Sequence, residues 1–165
     1  MYHPEDDNLI LLCNGALYNW STLAHTYNII TKSTSDCEII LHMYKLYGID
    51  KTIRELSGDF AFILLDRHKN KIYIGRDCIG VRSLYMGTSY DKKSIGIASE
   101  MKCLQNICNN DIWQVRPGCY YVIQNDLSFY YHEYHKYEYK ENDDNHDDNL
   151  KELLIERDYD IINPI

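Results

Sequence analysis

The chain has 165 residues, of which 45% are hydrophobic and only three are proline, so it is expected to form one compact domain with a real core. A formal net charge of −8 argues against an extended phosphate-binding surface, because nucleic-acid-binding proteins normally need a basic face. No apolar run approaches the roughly 20 residues that span a bilayer, and the start of the chain is acidic where a targeting peptide would be basic. Six scattered cysteines without a CxxC pair favour free thiols and a cytoplasmic protein, with neither nucleic acid nor membrane as a partner.

The first third of the chain predicts one strand and two helices. Residues 9–13 form a short apolar run that is followed by Asn-Gly at 14–15, a pattern typical of a buried strand that stops at a turn. A weak helical pattern covers residues 18–27. Ser-Asp-Cys-Glu at 35–38 matches a capping box that opens an amphipathic helix, and Gly48 is placed to end that helix.

The middle of the chain is rich in predicted strands. Residues 58–66 are apolar at nearly every position, as expected for a strand that is covered on both faces. A short helical stretch at 52–56 precedes it, and a turn at 68–71 leads into a strand at 72–76. The other predicted strands are residues 84–86, 95–98, 120–123 and 128–131, with a hairpin turn at Asn125 and Asp126. These elements together predict an α+β fold built in layers.

The composition changes after residue 131. Residues 138–148 carry six acidic side chains, one lysine and no aliphatic side chain, which predicts a solvated linker. Residues 150–155 have the pattern of one more helix. The His-Glu-Tyr-His run at 132–135 has no third ligand at a suitable spacing, so no metal site is expected. We therefore predict three segments: a domain over residues 1–131, an acidic linker over 132–149 and a remnant of a further domain over 150–165.

Four sequence stretches occur in a recognisable order. They read Asn-Gly-Ala-Leu-Tyr-Asn at 14–19, Ser-Asp-Cys-Glu at 35–38, Gly-Asp-Phe-Ala-Phe at 58–62 and Arg-Asp-Cys-Ile-Gly-Val-Arg-Ser-Leu-Tyr at 76–85, and the set is extended by 98–102 and 116–118. Each piece alone is weak. The ordered set, over about residues 8–131, resembles the glutamine-hydrolysing domain of asparagine synthetases, which is a class II glutamine amidotransferase.

The resemblance implies a fold and an activity. The family's domain is an N-terminal-nucleophile hydrolase, so the chain is expected to be a partial four-layer αββα sandwich with mostly antiparallel strands. In that family an N-terminal cysteine attacks glutamine, and the cysteine's own α-amino group is the base. The ammonia passes to a synthetase domain that makes asparagine from aspartate, and residues 150–155 are similar to the segment that leads into it. The implied ligand is L-glutamine, and no cofactor is expected in this chain, since ATP and Mg belong to the synthetase domain.

The resemblance also implies three site residues. Asn14 and the backbone N–H of Gly15 match the oxyanion-hole donors of the family. Asp36 matches the acidic residue that binds the α-amino group of glutamine, and a position in the first turn of a helix favours a carboxylate. The alternatives are an ordinary strand end at Asn14 and Gly15 and a helix-capping role for Asp36.

The chain departs from the family's pattern at positions that serve catalysis and substrate binding. Ala16 stands where the family has a glutamate that holds the substrate. The first part of the family's domain, with the nucleophilic cysteine and an arginine for the glutamine carboxylate, has no counterpart. Cys13 is close to the oxyanion pair in sequence, but its nitrogen is an amide and cannot act as a base. We therefore interpret Cys13 as a packed strand residue.

Three hypotheses follow from the matches and the departures. The chain is a truncated homologue without stand-alone activity, a pseudoenzyme; or a non-catalytic binding or regulatory domain; or one half of a split amidotransferase. The second would keep Asn14, Gly15 and Asp36 as a remnant amino-acid pocket or as a docking face for a synthetase domain. The last would need the missing N-terminal segment in trans, which supplies the missing strands and the cysteine. Missing strands would leave an open sheet edge and exposed apolar surface. The loop at residues 77–82 could contact such a partner or be solvated.

Overall fold

The computed structural model describes residues 1–108 and 111–136, which form nine strands, three α-helices and one 3₁₀ turn. The strands are β1 (Tyr2–His3), β2 (Asp6–Leu17), β3 (Gly58–Asp66), β4 (Lys71–Arg76), β5 (Tyr85–Thr88), β6 (Ile95–Ala98), β7 (Ile112–Gln114), β8 (Cys119–Ile123) and β9 (Phe129–Glu133). The helices are α1 (Trp20–Thr26), α2 (Glu38–Glu55) and α3 (Gln105–Cys108), and the 3₁₀ turn is Met101–Cys103. Within these two ranges, no helix is long and apolar enough to cross a bilayer.

The strands form two antiparallel sheets. The larger sheet has six strands in the order β1-β2-β3-β4-β8-β9, and the smaller has three in the order β6-β5-β7. The longest pairing joins β2 to β3, from Leu9 opposite Asp66 to Leu17 opposite Gly58. The predicted hairpin turn at residues 125–126 is confirmed, because β8 and β9 pair on either side of it. Because β1 has only two residues and β2 has twelve, β1 pairs with only part of the outer edge of β2.

One face of the six-stranded sheet is closed by the helices. Alternate residues of β2, β3, β4 and β8 point to this face, as the two-residue period of a strand requires. They form one buried cluster with α1 and α2, in which the side chains are at most 9% exposed. The sheet contributes Leu9, Leu11, Leu17, Phe60, Phe62, Leu64, Tyr73, Tyr120 and Val122, and the helices contribute Leu23, Ile39, Ile40, Leu41, Met43, Tyr44, Ile49 and Ile53.

The other face of the six-stranded sheet packs against the three-stranded sheet. A second buried cluster contains Ile74 of β4 and Tyr121 of β8 together with Met86 of β5. The short helix α3 lies on the far side of the small sheet, where Gly87 and Gly96 leave room for it. The order of layers is therefore helices, large sheet, small sheet, helix. This is the αββα arrangement that the sequence predicted.

The small sheet covers only part of that outer face. Tyr2 pairs with Ile10, which pairs with Leu65, and Leu12 pairs with Ile63, so these five side chains share one face. We call these five residues the open face. Leu12 is 63% exposed and Tyr2 57% exposed, although both are large and apolar. An apolar patch of this kind marks a surface that another polypeptide can cover.

The predicted turn at residues 14–15 is wrong. The strand continues through Asn14 and Gly15 to Leu17, and both residues pair with β3. A Cβ atom on Gly15 would lie 2.1 Å from the carbonyl oxygen of Asp59. The glycine is required by the close approach of two strands, which local sequence does not distinguish from a turn.

The predicted capping box is also wrong, although the helix is present. α2 begins at Glu38 with Cys37 as its N-cap, and no side chain caps the helix. The Glu38 carboxylate instead accepts hydrogen bonds from the backbone N–H groups of Lys32 and Ser33, at 2.7 and 2.6 Å. Gly48 interrupts α2 with a non-helical backbone, φ 76° and ψ 178°, so the helix that begins at Glu38 ends there as predicted, and the predicted helix at residues 52–56 lies in the second part of α2, after this kink.

The strands predicted from apolar runs are confirmed, and β3 and β6 match their predicted bounds. The others agree within one or two residues except β2, which begins three residues before the predicted run at 9–13 and ends four residues after it. The sequence missed β1, β7 and α3, which are only two to four residues long and so show no periodicity. β9 includes His132 and Glu133, which the sequence assigned to the linker. Residues 137–149 of the predicted linker and the predicted remnant at 150–165 lie outside the described residues.

Candidate functional site

Among the described residues, no strand pairs with the outer edge of β2 over residues 12–17. Backbone N–H groups along a strand point alternately to its two sides. The Leu11 N–H donates to the carbonyl of Met1 at 2.8 Å, on the side away from β3, whereas the Tyr18 N–H donates to Ser57 on the β3 side. The alternation therefore directs the N–H groups of Cys13 and Gly15 to the outer edge, beyond the point where β1 begins. These groups can bind a ligand or another strand.

Asp36 closes this edge at its far end. One carboxylate oxygen of Asp36 accepts a hydrogen bond from the Leu17 N–H at 2.5 Å. Leu17 lies two residues after Gly15, so its N–H points to the same side of the strand. A carboxylate has a second oxygen with its own lone pairs, which stays able to accept from a cationic donor. The structure thus brings Asp36 to the edge that carries the Gly15 N–H, although 21 positions separate the two residues in sequence.

Asn14 and Gly15 differ in orientation. Asn14 is exposed, and its side chain lies on the same side of the sheet as Leu12 of the open face. The Gly15 N–H lies in the plane of the sheet at its edge. An amide side chain and a backbone N–H on adjacent residues can both reach a negatively charged oxygen placed just beyond that edge. All three predicted site residues therefore lie around one stretch of β2.

Asp59 is a neighbour that the sequence reasoning missed. Ala16, which stands where a glutamate was expected, pairs directly with Asp59 on β3. The Asp59 carboxylate lies near the Tyr18 hydroxyl and raises the pKa of Tyr18. Only the strand register shows that a carboxylate lies across from position 16, because no local pattern links residues 16 and 59.

Cys13 and Cys37 lie beside this edge on the helix-covered side. The influence of each thiol on the other is the main cause that raises the pKa of Cys13 and lowers the pKa of Cys37. Burial raises the pKa of Cys13 further. Cys13 also packs against the helix-side core, which agrees with its interpretation as a packed strand residue. A protonated, internal Cys13 is unsuited to attack an amide.

The loop at residues 77–82 is held by its own charged groups. The buried Asp77 carboxylate accepts hydrogen bonds from the backbone N–H groups of residues 79–82. The neighbouring Arg76 donates to the carbonyls of Gly80, Arg82 and Val115. These bonds fix a loop that leaves Ile79 69% exposed. We assign these charges to loop structure and not to chemistry.

A cleft of about 480 Å³ lies at the start of β3. Tyr18, Arg54, Asp59 and Cys78 are among its lining residues, but Asn14, Gly15 and Asp36 are not. The three predicted site residues therefore lie outside this cleft. In the part of the chain that the structure describes, no three His, Cys, Asp or Glu side chains are grouped to hold a metal ion.

Comparisons with known proteins agree with the motifs. A family model for the glutamine amidotransferase domain matches residues 1–106. The probable asparagine synthetase [glutamine-hydrolyzing] of Acanthamoeba polyphaga mimivirus is 41% identical over 118 residues, which are 72% of this chain and 21% of that protein. Asparagine synthetase [glutamine-hydrolyzing] 1 of Arabidopsis thaliana is 40% identical over 118 residues, which are 71% of this chain and 20% of that protein. The chain spans about a fifth of the length of these relatives.

Solved structures show the same fold. Glutamine phosphoribosylpyrophosphate amidotransferase from B. subtilis superimposes with a TM-score of 0.67 at 21% identity, covering 81% of this chain and 31% of that chain. A glutamine aminotransferase class-II domain protein from Silicibacter pomeroyi gives a TM-score of 0.55 at 14% identity, covering 78% and 68%. At these identities the likeness concerns the fold alone, and it confirms the predicted sandwich of N-terminal-nucleophile type.

The family model and the relatives near 40% identity cover well over half of the chain, and the ordered motifs lie in the same residues. The chain therefore belongs to the glutamine amidotransferase domain family and resembles the domain of asparagine synthetases.

Proposed function

We propose that the chain forms the glutamine-binding edge of an asparagine synthetase-like amidotransferase domain and does not hydrolyse glutamine by itself. Asn14 and the Gly15 N–H stabilise the negative oxygen that develops when the glutamine amide is attacked. Asp36 accepts hydrogen bonds from the α-ammonium group of glutamine. The observation that supports this most directly is the bond from the Leu17 N–H to Asp36, since it holds a carboxylate beside the free Gly15 N–H.

The nucleophile in this proposal comes from another polypeptide segment. Chemistry of this kind needs a thiol next to a free α-amino group. Each of the six cysteines in these 165 residues has its nitrogen in a peptide bond, and the nearest, Cys13, is held protonated by Cys37 and by burial. The free edge at Cys13 and Gly15 can pair with an added strand, and the open face can be covered by the same segment. Ammonia would then pass to a synthetase domain for ATP-dependent asparagine synthesis.

Glutamine binding is the first test. Asp36→Asn keeps an oxygen for the Leu17 N–H but removes the charge that faces the ligand. The loss of one charged hydrogen bond is worth about 1.5–3 kcal/mol, so L-glutamine affinity measured by calorimetry should fall about 10- to 100-fold. The matched control is Asp7→Asn, an exposed carboxylate of the same strand, which should leave affinity unchanged. Equal affinity in Asp36→Asn and the parent chain would contradict the assignment.

Ammonia release is the second measurement. The chain alone should release none from glutamine. Addition of a cysteine-initiated N-terminal segment from one of the asparagine synthetases near 40% identity should restore release. Asn14→Ala should then lower kcat by about a hundredfold to a thousandfold while L-glutamine still binds. Release by the chain alone would refute the absence of stand-alone activity.

A further inference from the structure

The imidazole of His3 is buried in the edge strand β1 with only one of its two ring nitrogens hydrogen-bonded. His3 is 2% exposed, although β1 has only two residues and lies at the edge of the large sheet. Its Nδ1 accepts a hydrogen bond from the Glu5 N–H at 3.1 Å. Its Nε2 is buried and has no hydrogen-bond partner among the described residues. The ring is therefore neutral, and its single N–H is on Nε2.

Protonation of His3 conflicts with this hydrogen-bond geometry. A second ring proton has to bind Nδ1, since Nε2 already carries one. That proton would face the Glu5 N–H, so two donors would point at each other. The Nε2–H of the imidazolium would still find no acceptor among the described residues. A buried charge without such partners costs several kcal/mol, so the imidazolium is more stable in water than in this site.

The charged groups around His3 come from three segments of the chain. On α2, the centroid of the His42 ring lies 4.6 Å from that of His3, and Lys45 adds a positive charge. Asp6 of β2 and Glu5 of the turn between β1 and β2 are negative and oppose these two groups. Burial first, and then His42 and Lys45, lower the pKa of His3 from its ordinary value of 6.5.

His42 has the partner that His3 lacks. The Nε2 of His42 lies 3.0 Å from a carboxylate oxygen of Glu38, one turn earlier on α2. A positive charge on His42 is thus neutralised by Glu38, whereas no carboxylate is hydrogen-bonded to the His3 ring among the described residues. Acidification therefore acts on the docking of β1 mainly through His3.

Few bonds hold β1 in place. Its pairing with β2 is irregular between Tyr2 and His3. Beside this pairing, the Leu11 N–H of β2 donates to the carbonyl of Met1 at 2.8 Å. Short edge elements open locally at a lower cost than the free energy of global unfolding. The burial of His3 is therefore a large part of what keeps β1 docked.

We propose that His3 is a pH-sensitive switch, which holds β1 on the outer edge of β2 while its ring is neutral and releases β1 when the ring is protonated. Because the pKa of His3 is lowered in the docked state, the released state binds more protons. Docking is therefore strongest above pH 6.5 and weakens as the pH falls below it, by at most about tenfold per pH unit, since one proton is taken up.

Release of β1 changes the surface that a partner can use. The unpaired outer edge of β2 would extend from residues 12–17 to residues 6–17. An unpaired strand edge is a template for pairing with an added strand. The proposal concerns the docking of β1 alone and does not require the chain to bind glutamine.

Two backbone amides of the full chain distinguish release of β1 from general loosening. The Leu11 N–H loses its bond to Met1 when β1 leaves, whereas the Tyr18 N–H keeps its bond to Ser57. Hydrogen exchange is measured by NMR and corrected for the intrinsic pH dependence of amide exchange. Protection of Leu11 should fall by up to about tenfold over the first pH unit below 6.5, while protection of Tyr18 stays constant.

Three variants make the outcome decisive. His3→Phe keeps a ring beside His42 but cannot take up a proton, so the pH dependence of Leu11 protection should disappear. His25→Gln, at an exposed histidine of α1, is the matched control and should keep it. His42→Gln leaves His3 in place and removes a group that lowers its pKa, so Leu11 protection should fall less than in the parent chain.

Two results would overturn the proposal. One is a fall of Leu11 protection in His3→Phe that equals the fall in the parent chain. The other is a His3 ring whose NMR signals show protonation while Leu11 stays protected, because β1 would then remain docked around a charged ring.

Discussion

The two faces of the six-stranded sheet differ in how completely they are covered. On the helix side, Leu11 and Phe62 are each 1% exposed, and α1 and α2 close the face from β2 to β8. On the other side, the three-stranded sheet covers β4 and β8 but leaves the open face on β1, β2 and β3, where Leu12 is 63% exposed. The helix side therefore supplies most of the stability, and the open side is the surface left for a partner.

The proposed site lies at the edge of β2, between the helix-covered face and the open face of the sheet. Asn14 points to the open side, whereas Cys13 and Cys37 belong to the helix side, and Asp36 is bonded to the edge of β2. The residues proposed to bind glutamine are thus held in place by the well-packed helix side, and they lie next to the open face. Rigid elements position functional side chains better than loops do.

The largest effect is expected from Leu11→Lys. Leu11 and Leu12 are adjacent, but the strand period sends them to opposite faces. An unpaired charge in the helix-side core costs several kcal/mol, against a total stability of about 5–15 kcal/mol for a domain, so most of the chain should unfold at 25 °C. Leu12→Lys should change the free energy of unfolding by less than about 0.5 kcal/mol. Urea denaturation followed by circular dichroism measures both, and similar losses would show that the two faces are equally covered.

An intermediate effect is expected from Glu38→Gln. The buried Glu38 carboxylate accepts from Lys32 N–H, Ser33 N–H and the Nε2 of His42, and an amide oxygen can satisfy only part of this set. The free energy of unfolding should fall by about 2 kcal/mol. The matched control is Glu100→Gln, whose ion pair with Lys102 is exposed and should be worth less than about 1 kcal/mol.

The same variant predicts a pH dependence. Burial alone would raise the pKa of Glu38, but hydrogen bonds from Ser33, Lys32 and His42 outweigh it and lower the pKa to about 2 from 4.5. A carboxyl with a depressed folded pKa stabilises the protein fully above its unfolded pKa and loses that contribution as pH falls to the folded value. The stability lost between pH 4.5 and 2 should therefore be smaller in Glu38→Gln than in the parent chain. Parallel stability curves would contradict the burial of an ionised Glu38.

The smallest effect on stability is expected from Tyr2→Ser on the open face. Tyr2 is 57% exposed, so the free energy of unfolding should change by less than about 0.5 kcal/mol. Self-association measured by sedimentation should weaken, because an exposed apolar residue is lost beside the free edge of β2. Tyr90→Ser, at a loop residue that is 87% exposed, is the matched control and should leave association unchanged. Equal changes of self-association in both variants would mean that the open face is not the surface through which the chain associates.

Most of the fold was predictable because its signals are local. The apolar run at residues 58–66 and the alternating strands after it mark buried segments whatever their partners are. The predictions were wrong where a residue makes a tertiary contact in place of the local contact that its sequence pattern suggests. Gly15 resembles a turn residue but serves a close approach to Asp59, and Glu38 resembles a capping residue but binds the backbone at Lys32 and Ser33.

The sequence by itself determined the family, through the ordered motifs, and nominated Asn14, Gly15 and Asp36, whose roles stay predictions. Only the tertiary structure decided that the Leu17 N–H binds Asp36 and that Asp59 faces Ala16. The physical reason is that motifs are short-range patterns of residue type. The register of β2 against β3 and the docking of α2 on β2 are set by burial summed over the whole core, which no single motif contains.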